Sequence, residues 1–402
     1  MKVSIHTMYF LPDSGSAPIL MNELASYLAS RGHRVEVVTT IPRERGREYK
    51  GRLYNSEFNN GFQVKRFWTN ATPHPIGRLI AWNIYTLWTL FHMLNFRQGD
   101  ILFLRLPPLQ LGFMGFLAKR VKGAKVLLNV QDIHPDLSIE SGILKNSLGI
   151  KLAKKFEKWV YENSERIIVI SEGFKKNLLD KGVSSKKLQV IPNWVDTDFL
   201  SPLPKKNFLA QKYSLVNKFV IMYSGTISIS SNLALEKILE AANLLKKEND
   251  ILFAIVGDGI EKQNLLQKKD KLGLANVVFL PFQPYKDLPY LLASSDILLV
   301  PLDKEKSHLS VPSKLYHFMA AGRPILGLAD SDSEVAGVIK ETKCGVCVEP
   351  KEAKKIAETI ADLKNSKHTL EALGSNGRRY AVENFRKERV LKIYEDLISS
   401  MS

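Results

Sequence analysis

The chain has 402 residues, of which 45% are hydrophobic and 24% charged, values typical of a globular protein with room for two or three domains. Its formal net charge of +16 favours an acidic partner, which could be nucleic acid, an anionic membrane or an acidic small molecule. No RNP, zinc-finger or helix-turn-helix pattern accompanies the charge, which argues against nucleic acid.

The positive charge is concentrated in residues 1–125, which hold 17 Lys and Arg against seven Asp and Glu. The start "MKVSIHTMYFLP" alternates like a strand and has no small-residue cleavage site after it, so we do not interpret it as a signal peptide. Cys344 and Cys347 are the only cysteines, and their apolar surroundings favour a buried strand over a redox or metal pair. The absence of a disulfide framework is typical of a cytosolic protein.

Short apolar runs alternate with helical segments along most of the chain. In the first half we predict strands at 2–7, 34–39, 62–67, 100–104, 125–130, 166–170 and 189–191. We predict helices between them at 17–31, 76–96, 109–121, 152–163 and 172–181. A second series of strands follows at 219–224, 252–257, 277–280, 296–300, 324–328 and 345–349.

This alternation predicts an α/β protein with two Rossmann-like domains, each built on a parallel sheet and facing the other across a cleft. The stretch 192–207, rich in Pro and Asn, is the predicted linker, which gives domains at 1–200 and 208–385. The last helix, about 386–400, has no strand after it and is expected to pack back on the first domain. Ligands should bind at the carboxyl ends of the strands, in the cleft.

The uncharged stretch "LIAWNIYTLWTLFHMLNF" at 79–96 permits three interpretations. It is long enough for a membrane span, but five polar residues interrupt it. A core helix packed on the sheet is the plainer alternative. We favour docking on an anionic membrane surface, with Trp82, Tyr85 and Trp88 at headgroup level, because the surrounding domain is strongly basic.

Three segments of the second domain suggest an anion site. Gly225 in "MYSGTIS" and Gly257 in "IVGDG" each follow a strand, where backbone amides can approach a ligand closely. Lys314 in "SVPSKLYHFMAAGRPIL" stands in the first turn of a helix, where the helix dipole disfavours a cation unless an anion binds there. An ordinary turn and a capped helix with a solvent-facing lysine are the alternatives.

Two segments of the first domain also follow strands. "FLPDSGSAP" places Gly15 and Ser16 at a small-residue turn that opens a helix, but it lacks the GxGxxG pattern of nicotinamide dinucleotide sites. "NVQDIHPD" places Asp132, His134 and Asp136 at alternate positions, where they offer a base or an electrostatic stabiliser for a hydroxyl substrate. Loop chemistry around Pro135 is the alternative for this second segment.

Together these motifs, with "PPLQLGF", "VISEGFKKNL" and "VIPNWVDTDFL", make the chain resemble the family 4 glycosyltransferases of the GT-B fold over its whole length. Within that family it is similar to the bacterial group that includes the colanic acid and N-acetyl-L-fucosamine transferases. The resemblance implies retaining transfer from a nucleotide-sugar, usually a UDP-sugar, to a lipid-linked saccharide in surface polysaccharide synthesis, on the cytoplasmic face of the inner membrane. It implies no cofactor and no metal ion.

The residues singled out above and the resemblance together give the candidate site. Asp132, His134 and Lys314 are the candidate catalytic residues, and the resemblance implies that the nucleotide base lies against Pro281 and Phe282. The remaining candidate donor contacts are Gly15, Ser16, Ser224, Gly225, Thr226, Gly257, Asp258, Gly259, His308, Ser310, Val311 and Ser313.

The chain departs from the family pattern at two places. Where many relatives carry two glutamates eight positions apart, this chain has Lys306 and Lys314, and Glu305 is the neighbouring carboxylate. Where many carry a basic pair after the glycine of the first turn, it has Thr226 and Asn232. These departures leave open a non-catalytic partner that binds a nucleotide-sugar, and a UDP-sugar epimerase is a further alternative.

Overall fold

The computed structural model describes residues 1–13, 15–42, 49, 51–70, 75–302 and 312–401. The chain divides into two compact units, one made of Met1–Asn193 with Val390–Ser402 and the other of Trp194–Arg389. Each unit is built on one sheet with helices between its strands. The predicted pair of Rossmann-like domains is therefore confirmed.

The first unit has an eight-stranded sheet with the strand order β3-β4-β2-β1-β5-β6-β7-β8. Its strands are β1 (Lys2–His6), β2 (Arg34–Thr40), β3 (Tyr54–Asn59), β4 (Phe62–Phe67), β5 (Ile101–Leu106), β6 (Lys125–Val130), β7 (Arg166–Val169) and β8 (Leu188–Val190). Its helices are α1 (Ser16–Ser30), α2 (Pro75–His92), α3 (Leu111–Lys122), α4 (Asp136–Glu140), α5 (Ser147–Glu162) and α6 (Glu172–Asp180).

One strand of this sheet was not predicted. β3 is a mostly exposed edge strand and pairs antiparallel with β4, whereas the other neighbouring strands pair in parallel. Asn60 and Gly61 join the two strands with positive φ angles of 47° and 85°. An Asn-Gly pair between two strands is typical of a two-residue hairpin loop, so the sequence did contain the signal.

The second unit has a six-stranded parallel sheet with the order β11-β10-β9-β12-β13-β14. Its strands are β9 (Phe219–Ser224), β10 (Ile251–Val256), β11 (Val277–Leu280), β12 (Ile297–Pro301), β13 (Ile325–Leu328) and β14 (Gly345–Val348). Its helices are α7 (Phe208–Lys212), α8 (Ile229–Leu244), α9 (Lys262–Leu272), α10 (Leu288–Ala293), α11 (Lys314–Ala320), α12 (Glu334–Thr342), α13 (Ala353–Lys364) and α14 (Lys367–Asn384).

The boundary of the first unit differs from the predicted residue 200. Residues 194–200 belong to the second unit because the Val195 amide donates to the Phe385 carbonyl oxygen (2.8 Å) and the Lys387 amide donates to the Val195 carbonyl oxygen (3.1 Å). These backbone bonds join two segments that lie far apart in the sequence, so no local pattern announces them.

The C-terminal helix α15 (Lys387–Ser400) contributes its residues from Val390 onward to the first unit. The Tyr394 hydroxyl is buried and accepts a hydrogen bond from Asn129 Nδ2 on β6 (2.9 Å). Glu395 accepts a hydrogen bond from the Tyr27 hydroxyl (3.0 Å) and forms an ion pair with Arg31 (3.1 Å).

A buried group of charged and imidazole side chains ties β1, β2, β4 and α2 together. The Glu36 carboxylate lies 3.1 Å from Lys2 Nζ, 2.9 Å from Lys65 Nζ and 3.4 Å from His92 Nε2. Burial would raise the pKa of Glu36, but the hydrogen bonds and charges of these three partners outweigh burial and hold the pKa well below its ordinary value. We call Lys2, Glu36, Lys65 and His92 the Glu36 cluster.

Of the three aromatic residues of α2 predicted to lie at headgroup level, Tyr85 and Trp88 pack against the sheet instead, and Trp82 is partly buried against His134. Tyr85 is fully buried and its hydroxyl donates to the Val38 carbonyl oxygen (2.7 Å), so it cannot contact lipid headgroups. Trp88 stacks on Phe67 with the ring centroids 5.2 Å apart, and its indole N–H donates to the Trp68 carbonyl oxygen (3.0 Å). Both residues hold α2 against the sheet.

A different face of α2 and of the 3-10 turn that follows it is exposed. The apolar side chains that share this face and expose 44–68% of their surface are Ile80, Leu87, Phe91 and Leu94. Of the helices that the structure describes, none is long and apolar enough to cross a bilayer.

Candidate active site

The two glycine turns of the second unit meet where β9 and β10 end side by side. The Gly225 amide donates to the Val256 carbonyl oxygen (3.0 Å), and a Cβ on Gly257 would lie 2.0 Å from the Gly225 carbonyl oxygen. Gly225 and Gly257 have φ angles of 150° and 142°, which L-residues rarely adopt. Glycine is therefore required at Gly257 for both its conformation and its space.

The other candidate donor contacts of these turns lie on the same edge of the sheet. Ser224 ends β9, Thr226 is exposed, and the Tyr223 hydroxyl donates to the Thr226 carbonyl oxygen (2.6 Å). Asp258 is exposed and accepts a hydrogen bond from the Gly259 amide (2.8 Å).

Lys314 reaches these turns from the start of α11. Its Nζ lies 4.3 Å from the centroid of the Tyr223 ring and 3.0 Å from the place that a Cβ on Gly225 would take. Burial lowers the pKa of Lys314 to about 8. Among the residues that the structure describes, no carboxylate forms an ion pair with it. A desolvated cation that has no counter-ion in the described ranges, next to two glycine turns, is suited to bind an anion.

The predicted base contacts follow the edge strand β11. Pro281 is exposed, and Phe282 exposes 72% of its surface, so its ring is free to stack on a flat ligand. Ser313 precedes α11, is partly buried and makes no side-chain cap to the helix. The candidates His308, Ser310 and Val311, together with Lys306 and Glu305, lie outside the described residues.

The predicted residues of the first unit fall into two groups. Gly15, with a φ angle of 112°, precedes α1, and Ser16 is the first residue of that helix, after the carboxyl end of β1. They therefore belong to a different unit from Gly225, Gly257 and Lys314. Asp132 and His134 lie on the loop between β6 and α4.

His134 is held by two neighbours, one on α4 and one on α2. Its Nδ1 lies 2.9 Å from Ser138 Oγ, and its ring meets Trp82 edge to face with the centroids 5.6 Å apart. Burial lowers the pKa of His134 below its ordinary value of 6.5, although the charge of Asp132 opposes this, and the charge of Arg78 lowers it further. The imidazole is therefore neutral at pH 7 and able to accept a hydrogen bond or a proton.

Asp136, the third polar residue of the "NVQDIHPD" segment, has a structural role. Its carboxylate lies 2.7 Å from Lys181 Nζ, which also contacts Glu157 (2.6 Å). This bridge fixes the start of α4 to α5 and α6, so Asp136 positions the loop that carries His134.

Arg105 is a candidate that our sequence analysis missed. It lies near the end of β5, and burial lowers the pKa of its guanidinium, whereas the charge of Asp132 opposes that change. Its Nε is buried without a hydrogen-bond partner among the described residues. An arginine inside the apolar run "ILFLRL" was the available signal, because charged residues are rarely buried without a partner.

Within the described part of the chain, no group of three or more His, Cys, Asp or Glu side chains is arranged to hold a metal ion. The candidate residues are a desolvated lysine beside two glycine turns with an exposed aromatic ring in the second unit, and a neutral imidazole beside a carboxylate in the first. Cys344 and Cys347 are unpaired and lie just before and within β14.

Comparisons with known proteins agree with this division. Residues 15–194 match the family model described as "Glycosyl transferase 4-like domain", and residues 205–380 match "Glycosyl transferases group 1". The chain is 28% identical over 409 residues, 98% of each chain, to WcaI of Escherichia coli (strain K12), which is described as a colanic acid biosynthesis glycosyl transferase.

Solved structures share the fold over nearly their whole length. Sucrose-phosphate synthase from Thermosynechococcus elongatus has a TM-score of 0.77 at 16% identity and covers 99% of both chains. HepE from Anabaena, solved in complex with UDP-glucose, has a TM-score of 0.74 at 17% identity and covers 100% of both chains. Since the two family models together span most of its length, the chain belongs to the glycosyltransferases and has the GT-B fold.

Proposed function

We propose that this glycosyltransferase moves a sugar from a UDP-sugar to a lipid-linked saccharide, with retention of configuration, in the synthesis of a bacterial surface polysaccharide. The observation that carries the proposal is Lys314, a desolvated cation beside the Gly225 and Gly257 turns for which no counter-ion lies among the described residues. A nucleoside diphosphate supplies the missing anion.

The donor is proposed as a UDP-sugar because the structurally similar HepE was solved with UDP-glucose. The uracil ring stacks near Pro281 and Phe282, and the diphosphate binds between the glycine turns and Lys314. α11 has only seven residues, so the lysine, rather than the helix amides, provides most of the charge. An N-acetylated amino sugar such as N-acetyl-L-fucosamine is the proposed transferred group.

The reaction is proposed as a front-face displacement. The bond between the anomeric carbon and the diphosphate oxygen breaks, the acceptor oxygen bonds to the same face of that carbon, and the acceptor proton passes to the departing diphosphate. Lys314 stabilises the charge that develops on the leaving group, and no metal ion or cofactor is needed. Asp132 and neutral His134 position the acceptor hydroxyl.

The acceptor is proposed to be lipid-linked, with the enzyme peripheral on the cytoplasmic face of the inner membrane. Two observations support this: the excess positive charge of residues 1–125, and the exposed apolar face of α2 formed by Ile80, Leu87, Phe91 and Leu94. The similarity to WcaI supports a role in polysaccharide synthesis.

The test is UDP release from a panel of UDP-sugars, with membranes that contain lipid-linked acceptors and with acceptor-free liposomes in parallel. Release that depends on one sugar and on the acceptor supports the proposal, and NMR of the product reports the anomeric configuration. UDP binding without release across the panel would favour a non-catalytic partner. Conversion of the sugar without an acceptor would favour an epimerase.

A further inference from the structure

A cavity of about 410 Å³ lies in the first unit between α2, α5 and the loops after β5 and β6. Its volume falls within the range of about 300–1,000 Å³ that is usual for sites that bind small ligands. The residues that line it are Arg78, Leu79, Trp82, Leu109, Gln110, His134, Pro135, Ser138, Ile143, Leu144, Ala153 and Phe156.

The walls of this cavity are mainly apolar. Trp82, Leu144 and Phe156 are only partly exposed, and Ala153 brings a small side chain that leaves room between α2 and α5. A saccharide bound against such walls would lose water from most of its hydroxyls without gaining hydrogen bonds, at a cost for each hydroxyl. A hydrocarbon chain has no such cost and gains from burial.

The polar groups of the cavity are few and stand together. His134 and Ser138 contact one another, and the Gln110 Oε1 atom is buried without a hydrogen-bond partner among the described residues. Arg78 is exposed and makes no ion pair in the described part of the chain. Among the described residues, the cavity therefore offers a cation without an ion-pair partner beside apolar walls, which suits an amphiphile with an anionic group, while the Gln110 oxygen can accept a hydrogen bond only from a donor such as a hydroxyl.

The surface around the cavity also combines apolar side chains with positive charges. Leu79 and Ile143, which line the cavity, expose 49% and 61% of their surface. On α5, Leu148 and Leu152 expose 64% and 60%. The exposed cations on the same helix are Lys151, Lys154, Lys155 and Lys158. Apolar side chains mixed with lysines are typical of a surface that meets anionic lipid.

We propose that this cavity binds the hydrocarbon chain of the lipid-linked acceptor next to its phosphate, with Arg78 contacting the phosphate. This inference rests on the proposed function and adds the class of group that the first unit recognises. The chain enters from the lipid surface along Leu79 and Ile143. Its phosphate stays at Arg78, and the saccharide beyond the phosphate lies near His134.

The proposal can be tested by binding, without transfer. The probe is decyl phosphate that carries a diazirine in its chain, irradiated with the full-length protein and mapped by mass spectrometry. We expect labelling on α2 and α5 at the cavity walls. Ala153→Phe fills the cavity and should reduce labelling about tenfold, whereas the matched control Ala372→Phe, on the exposed face of α14, should not change it.

A second pair of variants tests the phosphate contact without filling the cavity. Arg78→Gln should weaken decyl phosphate binding about tenfold but leave binding of decanol unchanged. Arg97→Gln removes one exposed charge from the same unit outside the cavity and should leave both unchanged. Melting temperatures show whether each variant is folded, and the arginine pair keeps the test decisive if Ala153→Phe unfolds.

Transfer assays separate this inference from the proposed function. Transfer to the saccharide on decyl phosphate should exceed transfer to the saccharide 1-phosphate, and Ala153→Phe should abolish that difference. Equal rates on both acceptors, with no effect of Ala153→Phe, would overturn the cavity proposal and leave the transferase intact. Cavity labelling without transfer to any acceptor would instead support the cavity and contradict the proposed function.

Discussion

Replacing Lys314 with methionine separates the cost of burying this side chain from the benefit that its charge gives to a bound diphosphate. Burial lowers the pKa of Lys314 from 10.5 to about 8. A tenfold change in proton affinity corresponds to about 1.4 kcal/mol, so the charged lysine costs the folded protein about 3 kcal/mol at pH 7. At Lys314 the unfolded chain binds more protons than the folded one between pH 8 and 10.5, so the contribution of this lysine to the free energy of unfolding should rise across that window.

Lys314→Met should therefore raise the free energy of unfolding at pH 7 by up to about 3 kcal/mol, and this gain over the wild type should shrink between pH 8 and 10.5. It should also weaken UDP binding about thirtyfold, because a charge-assisted contact worth about 2 kcal/mol is lost. In the wild type, UDP binding at pH 9 should take up about 0.9 proton, since the bound diphosphate restores the charge on Lys314.

Urea denaturation at several pH values measures the first effect, and calorimetric titration with UDP in two buffers of different ionisation enthalpy measures the second. Lys351→Met, which removes an exposed lysine from the same unit, is the control and should change neither quantity. Unchanged UDP affinity in Lys314→Met would refute the diphosphate contact. A difference in the free energy of unfolding between wild type and Lys314→Met that does not shrink between pH 8 and 10.5 would refute the desolvation of the lysine.

Four further predictions follow from particular contacts. Gly257→Ala should lower the free energy of unfolding by more than about 2 kcal/mol and abolish UDP binding, because its Cβ would lie 2.0 Å from a carbonyl oxygen. The control Gly273→Ala, at a positive φ but with open space around its Cβ, should lower it by only about 1 kcal/mol, as measured by urea denaturation. Glu36→Gln should lose about 3 kcal/mol at pH 7. The ionised Glu36 stabilises the fold fully above its ordinary pKa of 4.5, so urea denaturation should show the difference between the two proteins begin to narrow near pH 4.5 and keep narrowing below pH 3, towards the strongly lowered pKa of the folded state. Tyr394→Phe should cost about 1–3 kcal/mol, because a buried amide loses its acceptor, and an unchanged denaturation midpoint would contradict this contact. Phe91→Ser should reduce sedimentation with anionic liposomes several-fold without changing the melting temperature, because Phe91 is 68% exposed. Undiminished sedimentation would contradict a role of α2 in membrane binding.

The sequence alone was enough to predict the two sheets, apart from strand β3, and to single out candidate site residues. Parallel strands that are buried on both faces appear as short apolar runs, so the strands from β9 to β14 could be located within a residue or two. Glycine after a strand and a cation at a helix start are local features, which is why Gly225, Gly257 and Lys314 could be singled out individually. The sequence also contained the Asn60-Gly61 turn, which we did not use.

Only the tertiary structure decided which of these residues meet and which faces are exposed. Lys314 lies against Tyr223 across about ninety residues of sequence because α11 and β9 pack in one unit. Tyr85 and Phe91 are both aromatic residues of α2, yet the sheet buries the first and leaves the second exposed. Apolar character shows that a helix has a surface to bury, but the partner that buries it comes from distant parts of the chain, so the orientation of α2 is set by long-range packing.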